Sequence, residues 1–317
     1  MPVFDFHAHP LPESFRRWLP KLGIDVLEDD GFPLPQWTAQ SHIAFMDAAG
    51  IDTAVLSLPT PHIHHGNDKA ALDAAREIND ELADLHASHP DRFLWTACLP
   101  LPYVEGSVRE IRRCLDEKGA CGVKIPTNAF GVYPGDPALD PVMEELNAHH
   151  ALVILHPCRA QARPANVITG TVAAIYEYPA DTTRAVLNMM AHRIMTRYPE
   201  IRFVVPHCGS FLPYMLERFT GVSGILASMG MMETVDAREE FSRLWFDIAG
   251  DPEPVALNML RMVAGDTQIV FGSDYPHSPA PVILKKKAHL DANPAFAGLR
   301  EQIYTENAMQ LLKIKEG

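Results

Sequence analysis

Val3-Phe4-Asp5-Phe6-His7-Ala8-His9 is an apolar run that ends in two histidines one residue apart. Val3 to Phe6 reads as a short buried strand. Residues i and i+2 of a strand point to the same side, so His7 and His9 aim two imidazoles at one place, where the loop Pro10-Leu11-Pro12 begins. Two surface histidines also fall at this spacing, so the pair gains meaning from what later apolar runs carry. Those runs recur at 53–58, 93–99, 122–125, 152–156, 202–207, 244–248 and 268–272. Amphipathic stretches separate them at 39–49, 69–88, 106–117, 141–149, 183–198 and 254–263. Continuous apolar strands alternating with helices mean βαβ units and a parallel sheet. Eight of them predict an α/β fold of the closed (β/α)8 TIM-barrel kind. A doubly wound open sheet would carry a glycine-rich phosphate turn after its first strand, and none is present.

The 317 residues, 47% hydrophobic and 21% charged, are expected to form one barrel domain over 1–317 with a large core. A formal net charge of -13 argues against nucleic acid or an anionic membrane surface as partner. No run of about 20 apolar residues reads as a membrane span, and Met1-Pro2-Val3 leads into the first strand without a basic or apolar leader. Five cysteines, odd in number and without a C-x-x-C, fit reduced thiols in a cytoplasmic protein. Two connections are too long to be simple links: 10–38 after the first strand, and 157–181 after the fifth, with Arg159, Arg163, Tyr176 and Tyr178. Both leave the C-terminal ends of strands, the face where barrel enzymes place their sites, and are expected to cover substrate. Lys285-Lys286-Lys287 is expected to be a solvated helix face.

Chemistry gathers at the strand ends. His7 and His9 follow strand one, His156 strand five, His207 strand six and Asp274 strand eight, each after an apolar run and before a loop. A lone buried histidine is more often a hydrogen-bonded core residue, and an Asp in Gly-Ser-Asp more often a turn or cap. Five together on one rim are a poor coincidence. Three imidazoles and a carboxylate with an open position suit a catalytic divalent ion such as zinc.

The chain resembles the amidohydrolase superfamily, specifically amidohydrolase family 2, which includes aminocarboxymuconate semialdehyde decarboxylase and related aromatic-acid decarboxylases. The likeness spans nearly the whole chain. It is carried by Asp5-Phe6-His7-Ala8-His9, Met46-Asp47-Ala48-Ala49-Gly50-Ile51, Gly122-Val123-Lys124-Ile125, Leu155-His156-Pro157, PEIRFVVPHCGSFLP at 199–213 and FGSDYP at 271–276. The segment around His207 resembles the decarboxylase branch rather than amide hydrolases. The resemblance implies a mononuclear Zn2+ site, with Mn2+ as the other candidate, ligated by His7, His9, His156 and Asp274. It implies that His207 acts in proton transfer, and that Arg218 reaches the substrate carboxylate of a neighbouring subunit in a homodimer. On chemistry alone Arg218 reads equally as a surface helix arginine.

The chain departs from the family where a substrate-binding arginine is expected before Met46-Asp47; it offers His42 instead. Arg16, Arg17 or Arg159 would then supply the missing charge. Lys124 is expected as a buried lysine of the upper barrel that touches substrate, rather than as a carboxylated bridge between two metals. His62, His64 and His65 are expected to line the pocket; a second metal there is the other reading. Phe130, Tyr133, Phe211, Trp18 and Trp37 are candidate aromatic walls. The expected function is metal-dependent, non-oxidative decarboxylation of a small aromatic or unsaturated carboxylic acid, hydroxybenzoate- or muconate-like, with His207 and Asp274 as proton carriers. The alternatives are a hydrolase, acting on a lactone or amide, and a hydratase. A non-catalytic metal-binding protein is disfavoured by the open coordination position.

Overall fold

The computed structural model describes residues 1–29, 31–160 and 172–313. Eight strands, β1 (Phe4–Ala8), β2 (Thr53–Leu56), β3 (Phe93–Cys98), β4 (Gly122–Pro126), β5 (Leu152–His156), β6 (Arg202–Val205), β7 (Trp245–Asp247) and β8 (Ile269–Val270), pair in sequential order, all parallel. A main helix follows each, with shorter helices beside some of them: α1 (Ala39–Ala49), α2 (Asp68–Ser88), α3 (Val104–Arg112), α4 (Asp140–Ala148), α5 (Glu177–Ala191), α6 (Leu212–Ser228), α7 (Ala256–Ala264) and α8 (Ala280–Ala292). This is the (β/α)8 barrel that the alternation of apolar runs and helices predicts.

The barrel closes at β1 and β8. Phe6 N donates to Phe271 O at 2.9 Å, Asp274 N to His7 O at 2.7 Å and His9 N to Tyr275 O at 2.8 Å. The Asp5 carboxylate adds a clasp beneath, accepting from Ser273 N at 2.9 Å and His7 N at 3.0 Å. The seam is therefore sewn by the residues that also build the site.

Inside the barrel, Phe4, Phe6, Val55, Leu152, Ile154, Val204, Trp245 and Val270 form one apolar cluster. A second, larger cluster lies between sheet and helices. Along β5 the inward parity Leu152, Ile154 continues to His156 at the top. Along β1 the parity of Phe4 and Phe6 would turn Ala8 inward and send His7 and His9 out. A bulge prevents this: Asp5 pairs with Ala54 but Ala8 with Leu56, so β1 spends one extra residue there. Ala8 then packs with the outer cluster, and both histidines face the lumen, as bulges near active sites re-aim side chains.

The connection after β1 is more than a loop. It holds helices at Glu13–Lys21 and Val26–Asp29, the first burying Phe15 and Leu19. Pro12 at its start supplies no side-chain cap. Glu81 of α2 does so from outside, accepting from the amides of Glu13 and Ser14 at 2.9 Å each, where unpaired N–H groups favour a negative charge. The lysine run is not a uniform solvated face. Lys287 lies over the Tyr304 ring at 4.7 Å with Asp291 at 2.9 Å, while Lys285 is exposed. Arg163 lies outside the described residues.

Candidate metal centre and active site

His7, His9 and His156 converge with side-chain nitrogens within 4.8 Å of one another, and the nitrogens of His7 and His207 and a carboxylate oxygen of Asp274 converge as closely. Asp274 Oδ1 stands 3.6 Å from His7 Nε2 and 3.4 Å from His9 Nε2. The ring centroids of His7 and His207 are 4.8 Å apart. All five residues singled out from the strand ends are thus on one rim.

Each imidazole of the trio has its Nδ1 occupied from behind. His7 Nδ1 meets Asp247 Oδ2 at 2.8 Å, His9 Nδ1 meets Ser57 O at 2.9 Å and His156 Nδ1 meets Pro157 O at 3.0 Å. Such partners fix the tautomer and leave Nε2 with its lone pair free. His7 Nε2 and His9 Nε2 are buried without a hydrogen-bond partner. A buried nitrogen that nothing satisfies is expensive. Three histidines anchored at Nδ1, two of them with such a nitrogen, together with one carboxylate fit a divalent ion with nitrogen and oxygen ligands.

Electrostatics agree with that donor set. Burial lowers the pKa of His9, and burial with the neighbouring His9, Lys124, His7 and His207 drives His156 well below its ordinary value. His207 is pulled down to about 4, by burial first and then by His7. Burial would raise the Asp274 carboxyl, but His9 at 3.4 Å, with His7 and His207 beside it, holds it below the ordinary carboxylate range. At neutral pH the rim presents neutral His9, His156 and His207 imidazoles and an ionised Asp274, while His7, against the opposing effect of burial, is raised to about 9 by the carboxylates of Asp247, Asp274 and Asp5.

Backbone strain concentrates here. His207, Cys208, Gly209 and Ser210 all have positive φ, at 57°, 53°, 75° and 57°, and Asp274 has 63°. Such conformations cost about 1–3 kcal/mol each outside glycine and cluster at functional sites. Gly272 makes room for the assembly: a Cβ there would lie 2.6 Å from His7 Cβ and 3.3 Å from Asp247 Cβ.

A cavity of about 360 Å³ opens on the centre, reached by His156, His207 and Asp274 and walled by Phe32, Pro157, Tyr178 and Ala249. Among the described residues Lys286 is the only Lys or Arg lining it, held by Asp251 at 2.7 Å. His277 also lines it, with Nε2 buried and unpartnered. Sequence reading missed both Asp247 and His277. His277 stands three residues beyond Asp274 in the strand-eight motif, a signal that was there to use. Asp247 ends a three-residue strand and carries no paired histidine to flag it.

The remaining candidates are placed around this core. Lys124 is buried in β4, and its charge bears on His156 and on His62. His42 is buried beneath the rim, accepting from Trp37 Nε1 at 2.9 Å and meeting Phe93 and Tyr275 edge-on; it is not among the cavity's lining residues. His62, His64, Phe130 and Arg159 line a separate cavity of about 380 Å³. There His62 Nε2 is bound to Leu101 O at 2.7 Å and His64 Nε2 to Asp68 at 2.8 Å, commitments that disfavour a second metal. Arg16 donates to Pro35 O and Arg17 to Glu77, neither at the cavity. Arg218 is exposed on α6. Tyr133 donates to the buried Asp181 at 2.5 Å. Trp18 donates to Glu77.

The amidohydrolase family model matches residues 4–314. The chain belongs to amidohydrolase family 2. This family-2 chain is 30% identical to decarboxylase yanB of Aspergillus niger over 90% of its own length and 80% of that protein's. It is 26% identical to the 6-methylsalicylic acid decarboxylase of Penicillium expansum over 100% of its length and 98% of that protein's. Among solved structures it resembles a 5-carboxyvanillate decarboxylase from Novosphingobium aromaticivorans, complexed with manganese and 4-hydroxy-3-methoxy-5-nitrobenzoic acid. The TM-score is 0.85 at 23% identity, covering 99% of this family-2 chain and 96% of that one.

Proposed function

We propose that this family-2 amidohydrolase is a metal-dependent, non-oxidative decarboxylase of a small aromatic carboxylic acid of the hydroxybenzoate kind. The observation that carries the reading is the convergence of three Nδ1-anchored histidines and an ionised Asp274 beside a fourth histidine, His207, at the floor of a cavity sized for one substituted ring. The named decarboxylases among its relatives support it. His7, His9, His156 and Asp274 would hold one Zn2+, with Mn2+ as the other candidate. A divalent ion there supplies Lewis-acid neutralisation of the substrate carboxylate or of a hydroxyl beside it.

The chain's own residues do the rest. Breaking the bond to the carboxylate carbon releases CO2 and leaves an electron pair on the ring carbon, which must take up a proton. His207 is neutral at pH 7, its pKa lowered to about 4. The proton that the ring carbon takes up therefore comes from solvent water and is relayed through His207, whose imidazolium, once formed, gives it up readily; the hydroxide left behind is neutralised by bulk solvent. Asp274 is the second proton carrier. Phe32, Pro157 and Tyr178 exclude water from the carbanionic site. Lys124 lies close to His156 and supplies fixed positive charge beside the ligands. His42 braces Tyr275, the residue after Asp274, rather than reaching the cavity.

Arg218 is assigned to the site of a second copy. It sits on α6 in a stripe with Tyr214, Val222, Ile225 and Met229, which are 75%, 42%, 60% and 65% exposed. Their spacing puts them on one helix face, an apolar surface that a homodimer would cover. No helix among the described residues is long and apolar enough to cross a membrane; we propose a cytoplasmic enzyme with a single domain over 1–317.

The test is metal content together with product analysis on a panel of ortho-hydroxybenzoates and lactones. CO2 release with the decarboxylated ring as product is expected. Acid release from lactones alone would overturn the reading in favour of a hydrolase. His207→Asn should keep the metal and lower turnover by about 10²–10⁴-fold; loss of metal instead would make His207 a ligand.

A further inference from the structure

We propose that Asp247 is a positioning residue that sets both halves of the centre at once: the tautomer of His7 and the backbone of His207. The inference rests on the ligand and proton-transfer roles proposed above. Asp247 is the last residue of β7 and is fully buried. Its Oδ2 accepts from His7 Nδ1–H at 2.8 Å. Its Oδ1 accepts from the backbone N–H of His207 and of Ala249, at 3.0 Å each.

The two oxygens thus do separate jobs. His9 and His156 rest on neutral carbonyls, so His7 alone of the trio has an anionic partner. A carboxylate behind a ligating imidazole makes the far nitrogen a stronger donor and fixes its direction. On the other side, His207 opens the left-handed turn of four residues, and its amide is tied to the same carboxylate. A charge-assisted hydrogen bond is stronger than a neutral one, so Asp247 helps to offset the strain of holding His207 at φ 57°. The closeness that Gly272 permits, just beyond β8 and against both His7 and Asp247, leaves the carboxylate little freedom to move.

Asp247→Asn and Asp247→Ala separate the two jobs. Asn keeps one oxygen for the two amides but offers His7 an NH2 group, which cannot accept from Nδ1–H; Ala loses both. Zinc affinity, measured by competition with a chromophoric chelator, should fall about 10–100-fold in both variants, with no substrate involved. Long-range 15N NMR of the histidines should show His7 protonated at Nδ1 in the unaltered zinc-loaded protein. At saturating zinc, kcat should fall further in Asp247→Ala than in Asp247→Asn, with KM changing less than kcat.

Unchanged zinc affinity in Asp247→Asn, or a His7 that binds zinc through Nδ1 in the unaltered zinc-loaded protein, overturns the His7 half. Equal kcat for the two variants at saturating zinc overturns the His207 half. If neither variant folds, the NMR measurement on the unaltered protein still decides the first half. Zinc affinity and tautomer report on Asp247 even if the substrate class proved wrong, so failure of this assignment is distinguishable from failure of the proposed reaction.

Discussion

His7 is the ligating imidazole whose pKa is raised rather than lowered in the metal-free chain. Burial alone would lower its pKa, but the charge and hydrogen bond of Asp247, then the charges of Asp274 and Asp5, raise it to about 9. The sign matters. Below the ordinary value near 6.5 this pair contributes its full stability to the metal-free fold, and the contribution is lost as pH rises through about 9. A metal must displace the same proton, so its affinity should run the other way. We expect zinc or manganese binding to strengthen between pH 6.5 and 8.5 by up to about tenfold per unit, with proton release; calorimetry in buffers of different ionisation enthalpy reads both, and a flat profile would contradict it. At this scale the ligand candidates were legible because each histidine or aspartate ends an apolar run. Their partners were not: Ser57 O and Pro157 O are backbone atoms, and Asp247 becomes meaningful only once β7 lies beside β1's end across the rim.

At the scale of elements, the bulge in β1 decides which way the first two ligands point. The alternation rule applied to Val3–Phe6 places His7 and His9 together but not which face they take, and Phe4 and Phe6 already occupy the lumen. Bulges leave no period-2 signature, so the register slip could not be read from the sequence. Gly272, just beyond β8, is its counterpart across the seam. Gly272→Ala brings a Cβ to 2.6 Å from His7 Cβ, closer than such atoms come, and should destabilise the metal-free protein by about 1–3 kcal/mol through overpacking. Urea denaturation checks this, and a loss under 0.5 kcal/mol would show that the seam yields. The same kind of external support holds the helix at Glu13–Lys21, whose first amides rest on Glu81. Glu81→Ala should free that segment by about 1 kcal/mol, seen as faster amide exchange over 13–21 with the barrel strands unchanged. The sequence reading took 10–38 as loop because proline-rich stretches mask short helices whose caps come from elsewhere.

For the whole molecule, eight strands and the helices between them were legible because both faces of a parallel sheet are buried and each strand reads as an apolar run. Assembly was legible only by resemblance. The α6 stripe of Tyr214, Val222, Ile225 and Met229 is apolar surface that a lone barrel would leave wet, and contiguous patches of this kind mark contacts. Sedimentation should give twice the mass of 35.2 kDa at micromolar concentration. The double variant Ile225→Glu with Met229→Glu should sediment as a monomer and lose turnover if Arg218 serves the neighbouring site; a monomeric unaltered protein would sink the shared-site assignment.

The left-handed turn at 207–210 divides the molecule into parts that can and cannot be remodelled. Four residues in succession hold a backbone shape that β-branched side chains resist, and three of them are not glycine, so most replacements there would cripple the protein before altering what it prefers. Diversification towards new acids, by nature or in a library, has its freedom elsewhere in the cavity wall: in Phe32, Ala174, Tyr178 and Lys286, which line the cavity and whose backbones do not take positive φ.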